Sequence, residues 1–426
     1  MRGIRTWQDL GIFALLGLLL SLVISCRPSP KPETIPEVEF WTMQLQPQFT
    51  DYFNNLIASY ESENPQVKVR WVDIPWTAME SKILTAVSAK TAPDVVNLNP
   101  NFASQLATRN AWLNLDDQVS EQVRQLYLPN IWKASTIDNL SFGIPWYLTT
   151  RVTIYNQDLL KQADISQPPA TYAELSEVAR KVKEKTGKYA FFVTFVPGDS
   201  GDVLESLVQM GVQLLDKSGQ AAFNSPEGIS AFKYWVDLYK QGLLPREVLT
   251  QGHRNAIDLY QAGELALLTS GPEFIKTIEI NAPDIAKVSD VAEQITGKTG
   301  KKSVAVMDLV IPRDTAKPKE ALEFALFVTN TENQLAFAKE AKVLPSTIEA
   351  VKAYQAELSS NTEASSGAKA LKVSAEQLQD AEVLVPALEN LNKLQKAIYD
   401  NLQAAMLGEK TVEEAVADAA NEWNRG

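Results

Sequence analysis

The chain has 426 residues, 45% of them apolar, nine tryptophans and a formal net charge of −12. That much apolar material exceeds one compact core and predicts two domains of ordinary size, and the acidic balance argues against a track for nucleic-acid phosphates. One histidine, His253, and one cysteine, Cys26, leave few candidates for His-rich zinc sites, Ser/His/Asp or Cys/His nucleophiles, or disulfides.

At the N-terminus, Arg2 and Arg5 precede an apolar stretch from Gly11 to Ile24. It is shorter than the roughly 20 residues that span a bilayer, and reads as a signal segment covering residues 1–25. Leu22, Val23, Ile24, Ser25 and Cys26 resemble the lipobox of bacterial lipoproteins. The resemblance implies that Cys26 becomes the acylated N-terminus; two or three acyl chains, at roughly 0.8 kcal/mol per buried CH2, then hold the protein stably at a membrane. Residues 26–37, with Pro28, Pro30, Pro32 and Pro36, form an extended spacer.

The body opens with alternating elements. Val38–Met43 reads as a strand, Pro47–Glu63 as a helix, Val67–Ile74 as a strand, Met79–Lys90 as a helix and Asp94–Asn99 as a strand. This βαβαβ order predicts a parallel sheet flanked by helices, with ligands beyond the carboxyl ends of the strands. The loops that then matter most are Thr42–Pro47 and Asn99–Ser104.

A second unit starts where Phe142–Pro145 leads into a strand over Thr149–Tyr155 and a helix over Gln157–Ala163. Thr171 and Glu174 form a capping box opening a helix to about Lys185. Tyr189–Phe195 reads as a strand, Pro226–Lys240 as a helix capped by Ser225, and Leu265–Thr269 as a strand before Gly271 and Pro272. Val304–Ile311 is a strand again and Lys317–Thr329 a helix; beyond Pro345 nearly everything is helical, with a second capping box at Thr411 and Glu414. The run 358–374, rich in Ser, Ala and Lys, reads as a mobile insertion. Trp76 and Trp235 read as core, and His253 as a surface or loop residue.

The run GIPWYLTTRVTIYNQDLLKQADI, Gly143 to Ile165, followed by PPATYAELSEVARKV, Pro168 to Val182, resembles the family 1 extracellular solute-binding proteins of carbohydrate ABC importers. Ala92–Val96, Ala111–Leu115, Gln261–Pro272 and Val310–Phe327 extend the similarity in the family's order. The resemblance implies an α/β, two-lobe, type II periplasmic-binding-protein-like fold, each lobe a mainly parallel sheet flanked by helices, with a helical C-terminal region. Lobe 1 would comprise 38–145 plus 293–330 and lobe 2 146–292 plus 331–426, with crossings near Pro145, 285–292 and 329–335. The implied partners are a sugar or small glycoside, the permease subunits of an importer and the membrane, reached through the lipid on Cys26. The protein is expected to be a monomer outside the cytoplasm, without cofactor, metal or catalytic residues.

A sugar offers hydroxyls that want directional partners and CH faces that want a flat ring, so its cleft combines amides and carboxylates with aromatics. On that ground the candidates are Trp41 and Gln44 after the first strand, Asn99 and Asn101 after the third, and Trp146, Tyr147 and Thr149 at the first crossing. In the second lobe they are Phe195, Asp199, Gly271, Pro272 and Glu273, where the family commonly has an aromatic in place of Glu273. Asp308 interrupts an apolar strand and must face the cleft or a satisfied cap, because an unpartnered buried carboxylate costs several kcal/mol. For several candidates a core or turn role is equally open, Trp41 above all. Two other functions fit the composition: the same fold taking glycerol phosphate, a polyamine or a peptide, and a secreted glycoside hydrolase with paired acids.

Overall fold

The computed structural model describes residues 35–425 except 138–139, 361–364, 386 and 389. The signal segment, Cys26 and most of the spacer lie outside the described residues. The elements that position the site are β1 (Glu37–Met43), α1 (Thr50–Glu63), β2 (Lys68–Ile74), α2 (Trp76–Ser88), β3 (Val95–Leu98), α3 (Pro100–Ala107), β4 (Gly143–Thr150) and β5 (Val152–Asn156). They continue with α4 (Tyr172–Thr186), α5 (Asp202–Gln209), α6 (Pro226–Lys240), α7 (His253–Gln261), β6 (Leu267–Ser270), β7 (Ser289–Ala292), β8 (Lys302–Val310), α8 (Pro318–Val328) and α9 (Thr331–Ala341). The last are β9 (Leu344–Pro345), α10 (Ile348–Ser360), α11 (Ser366–Glu376), β10 (Ala381–Glu382), α12 (Leu391–Leu407) and α13 (Val412–Asn424).

Two sheets divide the chain. The larger has seven strands in the order β9-β4-β8-β3-β1-β2, with β10 pairing β8. Along β1 the side chains alternate between faces, as a strand requires. Val38 and Phe40 join Phe53, Trp146, Phe324 and Phe337 on one side, while Trp41 and Met43 join Met79, Ile83 and Leu98 on the other. The smaller sheet, β6-β5-β7, packs with α4 to α7 and with the C-terminal helices α12 and α13 into a separate core. Both expected capping boxes are formed, at Thr171/Glu174 and Thr411/Glu414.

The mainly parallel sheets of the expectation are corrected. In the larger sheet only β1–β2, β1–β3 and β8–β10 are parallel, because β4, β8 and β9 return antiparallel; both pairs of the smaller sheet are antiparallel. Tyr189–Phe195 forms no ladder: it is tied by single bonds, such as Leu267 N–H to Ala190 C=O at 2.7 Å and Phe195 N–H to Val248 C=O at 2.8 Å.

The crossings also move. The boundary expected at 145/146 falls inside β4, which pairs with β8 along its whole length, so the chain passes to the smaller sheet at Arg151. The return lies at 293–301, between β7 and β8. The segment after 331 stays with the larger sheet through β9 and a core holding Ala338, Leu344, Tyr354 and Leu371; the last passage follows β10. The run read as a mobile insertion is helical over 358–360 and 366–374, and Leu358 and Leu371 are buried in that core.

Candidate functional site

Between the two units lies a cleft of about 740 Å³. On the larger unit its wall is the start of α2 and α3, which follow the carboxyl ends of β2 and β3. Asn99 caps α3, its Oδ1 accepting from Phe102 N–H at 2.9 Å, with Pro100 at the first helical position. The cap aims Phe102 at Trp76, whose ring lies 6.0 Å away at 51° and is 43% exposed. One turn further along each helix, Gln105 Nε2 donates to Glu80 Oε1 at 2.5 Å. The wall thus sets an open indole beside an amide–carboxylate pair, the combination that a sugar's CH face and hydroxyls require.

The opposite wall carries Arg151, Gly198–Gly201, Leu204 and Glu205, and Val304–Met307 of β8 also line the space. The third side is Val383–Val385, Leu388 and the start of α12, whose Gln395 Oε1 accepts from Gly198 N–H at 2.9 Å while Tyr399 O–H donates to Ser200 C=O at 2.7 Å. Arg151 Nη2 lies 2.5 Å from Asp202 Oδ1, and its Nε 3.5 Å from Glu205 Oε2. Burial would lower the pKa of this guanidinium, but Asp202 and Glu205 more than offset it and hold the charge firmly in place. Glu205 is pushed up by burial, against the pull of Arg151. His253 stands at the start of α7 with Nδ1 3.7 Å from Asp202 Oδ2, and burial depresses its pKa. It is a half-buried neighbour of this cluster at a helix start, where a surface or loop position was expected.

Of the expected site residues, Asn99, Asn101 and Asp199 line the cleft. Asp199 Oδ2 is engaged by His253 N–H at 2.7 Å. Several others are placed elsewhere. Trp41 is in the core against α2, its indole N–H donating to Glu39. Trp146 is 1% exposed and stacks on Phe337 at 4.9 Å, so the alternation of β4 points it into the larger unit instead of the cleft. Tyr147 packs edge-on against the same two rings and its phenol pKa is raised by burial. Phe195 is fully buried against Trp235.

Gln44, at φ 54°, occupies a turn and accepts from Trp76 N–H at 3.3 Å. Thr149 lies in β4 opposite Ala305. Gly271 and Pro272 are buried, while Glu273 is exposed outside the cleft lining; protein packed around its carboxyl still raises that group's pKa. Asp308 is fully buried and faces neither the cleft nor a backbone cap. Its Oδ2 accepts from Ser135 O–H at 2.5 Å, and burial pushes its pKa up to about 7. Gly143 leaves it room, since a Cβ there would sit 2.9 Å from the carboxylate carbon.

The cleft residues missed were Trp76, Glu80, Phe102 and Gln105. The signal was an aromatic directly after Pro75, at a strand's carboxyl end, which the helical periodicity of α2 disguised as core.

The family of bacterial extracellular solute-binding proteins matches residues 46–335, and the chain belongs to that family. Its fold is that of type II periplasmic-binding proteins. A crystallised candidate oligosaccharide periplasmic-binding protein from Synechococcus sp. MITs9220, also solved with zinc, is 47% identical, with 91% of this chain and 98% of that one covered at a TM-score of 0.85. The galactooligosaccharide-binding protein of Bacillus subtilis (strain 168) is 22% identical over 85% of this chain and 84% of its own length. The cyclic α-maltosyl-1,6-maltose binding protein of Arthrobacter globiformis shares the fold at a TM-score of 0.78 and 21% identity, covering 92% and 98% of the two chains. Among the described residues no cluster of three or more His, Cys, Asp or Glu is placed to hold a metal, and no helix is long and apolar enough to cross a membrane.

Proposed function

We propose that the protein captures a neutral oligosaccharide or small glycoside in this cleft and delivers it to the membrane subunits of an ABC importer. The observation that carries the reading is the open Trp76–Phe102 pair beside Glu80 and Gln105. The charges of the cleft favour a neutral solute: Arg151 is spent on Asp202 and Glu205, and Lys393 donates to Trp423 C=O at 3.1 Å and covers its ring. A phosphate or carboxylate ligand would have to displace those partners. Relatives that bind sugars support the ligand class, and binding with no turnover is the role.

The two units close on the ligand, and the permease recognises the closed form, so ligand acts by shifting a two-state population. Cys26 carries lipid that holds the body at the outer face of a membrane. Calorimetry with malto- and galacto-oligosaccharides tests the ligand. Saturable binding without products supports the reading, whereas silence towards sugars with binding of glycerol phosphate or spermidine overturns it. Intact mass of the protein from its native host should show an acyl adduct that Cys26→Ser abolishes.

A further inference from the structure

Two of the three chain crossings that a closing motion must bend are tied to one side chain of the C-terminal segment. Gln377, which follows α11 and is 1% exposed, donates from Nε2 to Thr150 Oγ1 at 2.9 Å and to Arg151 C=O at 2.5 Å, both at the first crossing. Its Oε1 accepts from Gln294 N–H at 3.2 Å, at the second. The grip continues on either side. Gln294 Oε1 accepts from Ser303 N–H at 2.7 Å where the second crossing enters β8, and Thr150 Oγ1 lies 2.7 Å from Ser374 Oγ, one turn before Gln377. Thr150, Gln294, Ser303 and Ser374 are all buried.

Three hydrogen bonds to one buried amide are more than packing of α11 demands. An apolar side chain of that volume would fill the space but leave the Arg151 carbonyl and the Gln294 N–H without these partners. They join points 143 residues apart in sequence (294 minus 151) at the places where backbone torsions must change for the units to swing. Arg151 itself leads from the clasped carbonyl to Asp202 and Glu205 on α5. The network therefore passes from the hinge into the cleft wall that Arg151 and Glu205 line.

We infer that Gln377 is a positioning residue for ligand capture: it clasps the first two of the three crossings and sets the angle at which the two walls of the cleft stand before ligand arrives. The inference rests on the reading of a cleft that closes, but its test needs no ligand, so the sugar assignment can fail without it.

Cys26 is the only cysteine, so in a Cys26→Ser background the full chain accepts two spin labels, at E63C on α1 and E184C on α4, exposed sites on the two units. Pulsed electron–electron distance measurements on the ligand-free protein should give one narrow distribution. Gln377→Met, which keeps the volume and removes all three bonds, should broaden or shift it, and Gln377→Asn, which keeps the amide but shortens its reach, should do so less. Circular dichroism selects the variants that fold, Gln377→Asn being the milder if Gln377→Met does not. A distribution unchanged from the parent in the folded variants overturns the inference, even if their melting temperatures fall, because that is what a merely structural glutamine would show.

Discussion

The two walls of the cleft are built from opposite principles. On the larger unit, α2 and α3 present groups with capacity to spare: the indole of Trp76 is 43% exposed, and Glu80 keeps one carboxylate oxygen beyond its bond to Gln105. On the smaller unit the polar side chains are mostly satisfied by one another, Arg151 by Asp202 and Glu205, and Asp199 by the α7 backbone. Exposed aromatic surface costs free energy in the empty protein and returns it on binding, whereas a closed ion-pair network contributes shape and potential. In the proposed function the first wall binds the sugar and the second positions it.

The sharpest contrast is between two tryptophans of the larger unit. Trp146→Ala empties a site packed by Phe40, Phe53 and Phe337 and should cost about 3–5 kcal/mol of stability in denaturant unfolding. If it instead leaves stability unchanged and weakens sugar binding, the placement of Trp146 away from the cleft is wrong.

Asp308 lies inside the same unit. Its folded pKa of about 7 stands above the ~3.9 of an unfolded aspartate, so the native state holds a proton that the unfolded chain releases. Stability should therefore fall as pH rises between those values, by roughly 2–3 kcal/mol from pH 5 to pH 8. Asp308→Asn should remove most of that fall, which urea titrations at the two pH values would reveal.

Arg151→Ala should act on stability before affinity, because it strands Asp202 and Glu205. A fully buried pair would cost about 3–5 kcal/mol; with 27% of the Arg151 side chain exposed, about 2–3 is expected. A variant with native melting temperature but weakened sugar binding would break the view that this wall only positions.

Trp76→Ala should do the reverse. Stability stays within about 0.5 kcal/mol, as for an exposed residue, while calorimetry reads a loss of about 1–3 kcal/mol in binding, roughly a 5- to 150-fold rise in Kd. Glu80→Gln is the smallest change, about 1 kcal/mol or roughly fivefold in Kd. If neither affects the cognate sugar, the binding wall lies elsewhere.

Much of the fold was legible in the residues themselves. Short-range physics decided it: the period-2 alternation of β1, the capping boxes at Thr171 and Thr411, and Ser225 with Pro226 opening α6 leave little freedom to the local chain. Family membership was legible too, from motifs recurring in order along Gly143–Val182. What only the tertiary structure decided was which face each aromatic presents and where the chain changes units. Trp76, Trp41 and Trp146 look alike as apolar residues near strand ends, yet one stands open to the cleft and two are core, because β-strand partners set direction through pairings over long separations such as β4 with β8. The hinge clasp of Gln377 was invisible for the same reason: its three bonds join residues far apart in the chain, and no local pattern of spacing or composition records them.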